Sequence, residues 1–445
     1  MANNIVYFSI NGVQYNVMVS KRFLLTLLII IIIAIGAGIA VFFTKGYRVS
    51  PDTGMILGTG IISVTSVPDQ ASIYLDERLI GATNDNIKSL PPKDYLVTIK
   101  KEGYIPWQKT VPVEEGLVTQ VKSTLFRSIP TIYPLTYSGA ENALISPDGL
   151  KMVYVIPTVE GMDATSKRKT GVWVWSMSDR PLTFNRGAEP HQVTPPIDGV
   201  DFTKAKIRWS PDSTQVLLQL PDRNLLLDEA NFNEPARDIT ATLEPTMRQW
   251  DTQQREKDLV RLQLITDGNL QKEASESAIL KWSPDETKLL YSKDGKTEFK
   301  LVVLPASVDA QSSTGISLGA TRAGLYEIFD VFKNVDPTAL ANASISWLPD
   351  SEHIVLTERI TPATTPRPTA VQPTNTEEVT KVENIIEPAR IYVLTYDGSN
   401  KFEMYNGNFD PDSVIAWPDS SRLVVVSSFP TATANQPNLY GINLK

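Results

Sequence analysis

"KWSPDETKLLYS", residues 281 to 292, joins two short apolar stretches through a Ser-Pro-Asp turn. Trp282 closes the first stretch and Lys288 opens the second. Proline presets φ for the second position of a type I turn, and aspartate suits the next. The stretch has four relatives: LISPDGLKMVYV from Leu144, IRWSPDSTQVLLQL from Ile207, ISWLPDSEHIVLTE from Ile345 and IAWPDSSRLVVVSS from Ile415. Their turns carry Pro147 and Asp148, Pro211 and Asp212, Pro284 and Asp285, Pro349 and Asp350, and Pro418 and Asp419. Successive prolines lie 64, 73, 65 and 69 residues apart. Trp209, Trp282, Trp347 and Trp417 align at one position, which Ile145 takes in the first copy; the last copy reads as one residue short before its proline.

Self-similarity at this spacing is the signature of a repeat architecture. Each copy continues into a third apolar stretch, at 172–176, 225–228, 300–304, 390–396 and 438–444. A four-stranded antiparallel sheet per repeat is one blade of a β-propeller. Five copies imply five blades, and their length leaves room for a sixth. TIYPLT at 131–136 offers a spare strand that would complete the last blade and remove the open edges of the ring. The repeats resemble those of TolB-type propellers over 128–445, and the resemblance implies a binding module.

The extra residues of the repeats form a pattern. Insertions at 157–170, 361–388 and 430–437 fall between second and third strands, which places them on one face. The longest, rich in Pro and Thr, reads as disordered. Residues 243–265 read instead as a helix opening at Pro245 and packing Met247, Trp250, Leu259 and Leu262. Because the turns read as structural rivets, a partner is expected on the opposite face, where the loops vary.

Residues 23–43, FLLTLLIIIIIAIGAGIAVFF, hold no charge. Twenty-one such residues suffice to cross a hydrocarbon core of roughly 30 Å as a helix. Lys21 and Arg22 precede them, and Lys45 and Arg48 follow, so the positive-inside rule orients the span weakly. The expectation is an uncleaved single-pass anchor, with residues 1–22 as a short cytoplasmic tail and the bulk of the chain extracytoplasmic. The other reading is a signal peptide, against which stand the length of the apolar run and the absence of a clear A-x-A site. Within the tail, Asn11-Gly12 between two β-prone runs signals a hairpin, the alternative being an unstructured tail.

After a linker at 44–59, residues 60–127 alternate in short β-prone runs with no helical pattern, which gives a small β-sandwich. This segment resembles the PEGA domain family. The likeness rests on Val64-Thr65-Ser66 followed by Pro68, on 71–76 (ASIYLD), on Gly81-Ala82-Thr83, on Leu90-Pro91-Pro92 before Tyr95, and on Gly103-Tyr104 followed by Trp107. The family's naming motif is replaced by Pro92-Lys93-Asp94, and its glycine after Asp76 by Glu77. The resemblance implies an extracytoplasmic accessory module without catalytic residues. Tyr95, Tyr104 and Trp107 are read as core aromatics, with a sugar-stacking face as the other reading.

Composition narrows the chemistry. The chain of 445 residues has no cysteine, two histidines and a net charge of −8, which excludes disulfides, thiol catalysis and a general nucleic-acid binder. GISLG around Ser317 matches the nucleophile-elbow pattern but lacks its strand–turn–helix setting and a hydrolase domain. His191, in a Pro-rich loop, and His353, opening a strand, read as packing or surface residues. FDPDS at 409–413 lacks the spacing of a calcium loop. No catalytic, cofactor-binding or metal residue is therefore assigned. The sequence reads as an all-β envelope scaffold: one transmembrane helix, a PEGA-like sandwich and a propeller that binds a protein, peptide or glycan. A propeller-containing hydrolase or an envelope sensor is the alternative.

Overall fold

The computed structural model describes residues 4–10, 13–19, 21–44, 48–49, 56–177, 189–305, 315–317, 326–360, 386–428 and 436–445. Two compact units emerge: Met1–Ile99 with Gln108–Ser123 and Asp309–Leu318, and Lys100–Trp107 with Thr124–Val308 and Gly319–Lys445. The long insertion at 361–388 lies outside the described residues as far as 385, and that at 430–437 as far as 435.

In the first unit, strands Asn4–Ile10 and Val13–Val19 pair antiparallel with Ile10 opposite Val13, which leaves two residues for the turn. Helix α1 follows at Lys21–Thr44. Its described side chains run from Leu25 to Val41, and among the described residues no helix is long and apolar enough to cross a membrane. The stretch read as a linker holds a short ladder, Arg48–Val49 against Ile56–Leu57.

Two four-stranded sheets build the rest of this unit. One runs Trp107–Pro112, Asp94–Lys100, Ser72–Leu75, Arg78–Ala82; the other runs Gly315–Ser317, Val118–Thr124, Gly60–Val67, Asp85–Leu90. Burial alternates along Gly60–Val67, so Ile62 and Val64 face inward, as do Ile73, Leu75, Val97 and Val121 in their strands. One packed and one wet face is the ordinary pattern for antiparallel sheets. Tyr95 is buried at 5% exposure, so it is a core aromatic and offers no ring to a sugar. Trp107, counted in the second unit, is likewise buried.

The second unit contains five four-stranded antiparallel sheets among its described residues. Blade 1 is Glu141–Ile145, Lys151–Ile156, Gly171–Ser176, His191–Thr194. Blade 2 is Lys206–Trp209, Gln215–Gln219, Asn224–Asp228, Arg237–Asp238. Blade 3 is Ile279–Trp282, Lys288–Ser292, Phe299–Val303, Glu327–Phe329. Blade 4 is Ser344–Trp347, His353–Arg359, Glu387–Thr395, Phe402–Phe409. Blade 5 is Ile415–Ala416, Arg422–Ser427 and Asn438–Asn443, completed by Ile132–Pro134 from the other end of the ring. Second strands are largely apolar on both faces because each is covered on either side by a neighbouring blade or, between blades 2 and 3, by helices. Lys288–Ser292 is accordingly buried at every residue.

The closing strand shows its register. Asn443 donates its N–H to Thr131 O, and Leu135 donates to Leu439 O. Hydrogen-bonded pairs alternate with open ones in an antiparallel ladder. Ile132–Ile442 and Pro134–Tyr440 are therefore the open pairs. Pro134 sits where its missing N–H is not needed, which is how a strand accepts proline.

Neighbouring blades share apolar cores: blade 1 with blade 2, blade 3 with blade 4, blade 4 with blade 5, and blade 5 with blade 1. Between blades 2 and 3 the core is different. After α2 (Ala164–Lys167), helices α3 (Leu243–Leu262) and α4 (Gly268–Ser275) occupy this gap, ahead of the short α5 (Pro337–Ala341). Trp250 of α3 packs with Leu217, Leu226 and Ile239 of blade 2. Leu262, and Leu270 and Ala274 of α4, pack with Leu289, Tyr291 and Val302 of blade 3. The room left for a sixth blade is thus taken by a helical wedge. The helix expected at 243–265 begins two residues before Pro245 and buries Trp250 and Leu262, but Leu259 is half exposed.

Candidate functional site

All five turns are built alike. The aspartate carboxylate accepts the N–H two residues on: Leu150 to Asp148 at 3.0 Å, Thr214 to Asp212 at 3.2 Å, Thr287 to Asp285 at 3.1 Å, Glu352 to Asp350 at 3.0 Å and Ser421 to Asp419 at 2.8 Å. This is the Asx-turn bond that makes aspartate a turn residue. The residue after each aspartate is left-handed: Gly149, Ser213, Glu286, Ser351 and Ser420. Pro147, Pro211, Pro284, Pro349 and Pro418 precede the aspartates, so these residues act as structural rivets.

Trp417 departs from the alignment read in the sequence. Its N–H donates to Arg422 O, the bond that Ser146, Ser210, Ser283 and Leu348 make in their copies. It therefore occupies the place of the serine, with Ala416 in place of the tryptophan, and the last copy is not short. Its indole meets Trp175 of blade 1 edge-on at 5.7 Å.

At two direct junctions, blade 1 with blade 2 and blade 3 with blade 4, the turns are tied to one another. Asp148 donates its N–H to Ser213 Oγ, and Asp285 donates to Ser351 Oγ. Lys151 pairs with Glu229 at 2.6 Å across the first junction, and Lys288, 3% exposed, with Glu352 at 3.1 Å across the third. Indole N–H groups also cross: Trp209 Nε1 donates to Leu144 O at 3.2 Å and Trp347 Nε1 to Lys281 O at 3.0 Å.

The wedge breaks this series between blades 2 and 3. Trp282 Nε1 is buried and has no partner, because the first strand of blade 2 lies beyond α3. Glu286 stands where the other junctions have Ser213 and Ser351, and it pairs with Arg261 of α3 at 2.7 Å. Lys257 Nζ donates to Pro211 O at 2.6 Å. An opening of about 630 Å³ remains, lined by Pro211 and Asp212 of one turn, Glu286 of the next, and Gln253, Glu256, Lys257, Val260 and Arg261 of α3. The helical spacing of those five residues puts them on one face of α3. Of that face only Val260 is apolar, exposed at 66%, among Gln253, Glu256, Lys257 and Arg261. The volume falls in the range of ligand-binding clefts.

A neutral hydrogen bond contributes about 1 kcal/mol net. Trp209→Phe and Trp347→Phe each lose one such bond, whereas Trp282→Phe loses none. Chemical denaturation should place Trp282→Phe about 1 kcal/mol nearer the parent than the other two. Equal losses in all three would contradict the broken series.

The electrostatics of the turns are structural. A hydrogen bond from Ser210 and others from Thr214 hold Asp212 below the usual carboxylate range. Burial pushes Asp285 up, but hydrogen bonds from Ser283 and Thr287 outweigh it and leave this group lowered too. Such groups contribute stability that is present above the unfolded value near 4 and is lost as pH falls through the folded one. Burial raises Glu352 despite Lys288, and its contribution has the opposite sign, fading as pH rises through its folded value. A double Asp212→Asn, Asp285→Asn variant should flatten the fall of melting temperature below about pH 4. An unchanged acid limb would rule out this role.

The remaining sequence candidates fall elsewhere. His353 is 4% exposed, bonded to Asp350 at 2.8 Å and edge-on to Phe126 at 4.9 Å. His191 opens the fourth strand of blade 1 rather than lying in a loop, with Nε2 2.8 Å from Glu229 O. Ser317 ends the strand Gly315–Ser317, parallel to Val118–Gln120, and the residues that follow it to 325 lie outside those described. The aspartates of 409–413 cap a 3-10 turn, where Asp410 accepts the Asp412 N–H. No group of residues among those described could hold a metal. The opening at blades 2 and 3 escaped the sequence reading, since only the 73-residue spacing hinted that something separates those blades.

Comparison with known proteins gives the following. Residues 59–129 match the PEGA domain family. No curated protein matches the chain. Among solved structures, TolB from Acinetobacter baumannii is similar at 12% identity over 79% of this chain and 59% of that one, with a TM-score of 0.24. A TolB-type protein from Agrobacterium tumefaciens is similar at 12% identity over 85% of this chain and 99% of that one, TM-score 0.23. The acylaminoacyl peptidase of Pyrococcus horikoshii is similar at 10% identity over 69% and 39%, TM-score 0.17. The chain spans less than two thirds of the first of these. At such scores none of the three adds to an argument about ligand or activity.

Proposed function

We propose that this chain is a membrane-anchored scaffold whose propeller takes up a segment of a partner protein in the opening between blades 2 and 3. The observation that carries the reading is that opening, a volume of about 630 Å³ lined by charged and polar side chains around the exposed Val260. Fixed charge pairs at Arg261–Glu286 and the apolar Val260 suit a polypeptide with mixed side chains better than a sugar, which would call for exposed aromatic faces. The site lies on the turn-bearing face, not the opposite one. A photoreactive residue at Val260 should give a discrete adduct in intact cells, and one at the exposed Asp198 none. Adducts at neither position, or at both alike, would refute the site.

Anchoring is supported by α1 itself. Its backbone is helical over 24 residues, about 36 Å at 1.5 Å per residue. Leu25, Ile30 and Ile33 are about 60% exposed, and the helix has no acidic residue. We place the N-terminus in the cytoplasm and the two β-rich modules outside. The chain is read as non-enzymatic, since GISLG around Ser317 sits in a Ser- and Gly-rich connector with no hydrolase domain in the sequence. Alkaline extraction and protease accessibility of intact cells test the placement: release by carbonate, or protection of the propeller in cells with a permeable outer layer, would contradict it.

A further inference from the structure

The hairpin that precedes α1 has a sided pattern. Cross-strand partners in an antiparallel pair share a face, and successive residues alternate between faces. With Ile10 opposite Val13, Phe8 opposite Tyr15 and Val6 opposite Val17, one face carries only apolar and aromatic residue types, apart from Asn4 at the open end. The other face carries the polar residues, Ser9 opposite Gln14 and Tyr7 opposite Asn16, with Ile5 opposite Met18 toward its open end. Among the described residues no third strand joins either edge. A two-stranded hairpin is marginal in water and needs a cover for such a face.

The sequence around the hairpin says what that cover is. Residues 1–20 contain no Asp, Glu, Lys, Arg or His, and the first charged side chains are Lys21 and Arg22. Only Ser20 separates the end of the second strand at Val19 from the start of α1. A one-residue link holds the hairpin at the level where α1 would leave the hydrocarbon. Seven residues per strand reach about 23 Å, enough to lie along a bilayer surface. Tyrosines such as Tyr7 and Tyr15 are enriched at that depth, and adjacent basic residues favour anionic headgroups. An edge that no further strand pairs can have its backbone groups satisfied by headgroups and water but not by hydrocarbon.

We infer that the hairpin is an interfacial foot: it lies flat in the headgroup layer of the bilayer, with the Val6–Phe8–Ile10 face toward the acyl chains. The inference rests on reading α1 as a membrane anchor. It fixes the rotation and depth of α1 at its N-terminal end, and it competes with a dimer in which two hairpins cover each other.

The lack of cysteine makes the test direct. Single variants Phe8→Cys, Val17→Cys, Ser9→Cys, Gln14→Cys and Ile33→Cys of the full chain are spin-labelled. They are reconstituted into vesicles of phosphatidylcholine and phosphatidylglycerol. Relaxation by oxygen, which partitions into lipid, is compared with relaxation by a water-soluble nickel chelate. Labels at 8 and 17 should favour oxygen several-fold more than those at 9 and 14, and Ile33→Cys should read as hydrocarbon. Nickel-dominated relaxation at 8 and 17, with Ile33→Cys in hydrocarbon, overturns the foot and leaves the anchor standing. Spin–spin broadening at 8 that grows with protein density overturns it in favour of the paired hairpins. An aqueous signal at Ile33→Cys overturns the anchor and the foot together.

Discussion

Replacing Trp250 by alanine should cost about 3–5 kcal/mol of unfolding free energy, the range for removing a buried tryptophan. Trp250 is 4% exposed and joins α3 to Leu217, Leu226 and Ile239 of blade 2. Its removal leaves a void where no other blade can close in, because the wedge is the only cover blade 2 has on that side among the described residues. Leu259→Ala, on the same helix but half exposed, should cost under about 1 kcal/mol. Denaturant titration of the two variants reads the contrast. A Trp250→Ala cost no larger than that of Leu259→Ala would mean that α3 is not part of the ring. A crosslink from Val260 should be weakened in Trp250→Ala as well, since the opening depends on where α3 sits.

The repeat was legible because its physics is local. Proline, aspartate and the left-handed residue after it set each turn within a few residues, so the five copies and the spare strand at Ile132–Pro134 stood out. Trp417 misled for a related reason. Tryptophan was matched to tryptophan, whereas the hydrogen bond to Arg422 O aligns it with serine. Helix α4 was missed because its eight residues carry a single clear signal, Asp267 capping Asn269 and Leu270. The wedge and its opening were not legible at all. They arise from which blades α3 and α4 separate, a long-range fact that the spacing of prolines only hints at. Leu259 illustrates the limit from the other side. Its helical spacing relative to Leu262 says nothing about which of the two meets blade 3.

Ring closure is the claim on which the opening, the wedge and the numbering of blades all depend. A disulfide between positions 132 and 442 tests it most directly. Ile132 and Ile442 form an open pair in the closing ladder. Such pairs have Cα atoms about 4.5 Å apart, within the span a disulfide bridges. The chain has no cysteine to compete. The Ile132→Cys, Ile442→Cys variant should oxidise to completion, and the closed loop of some three hundred residues should add about 3–5 kcal/mol relative to its reduced form. The slipped variant Tyr133→Cys, Ile442→Cys should remain reduced under the same conditions. Failure of the first pair to oxidise, or oxidation of both pairs alike, would contradict the closed ring.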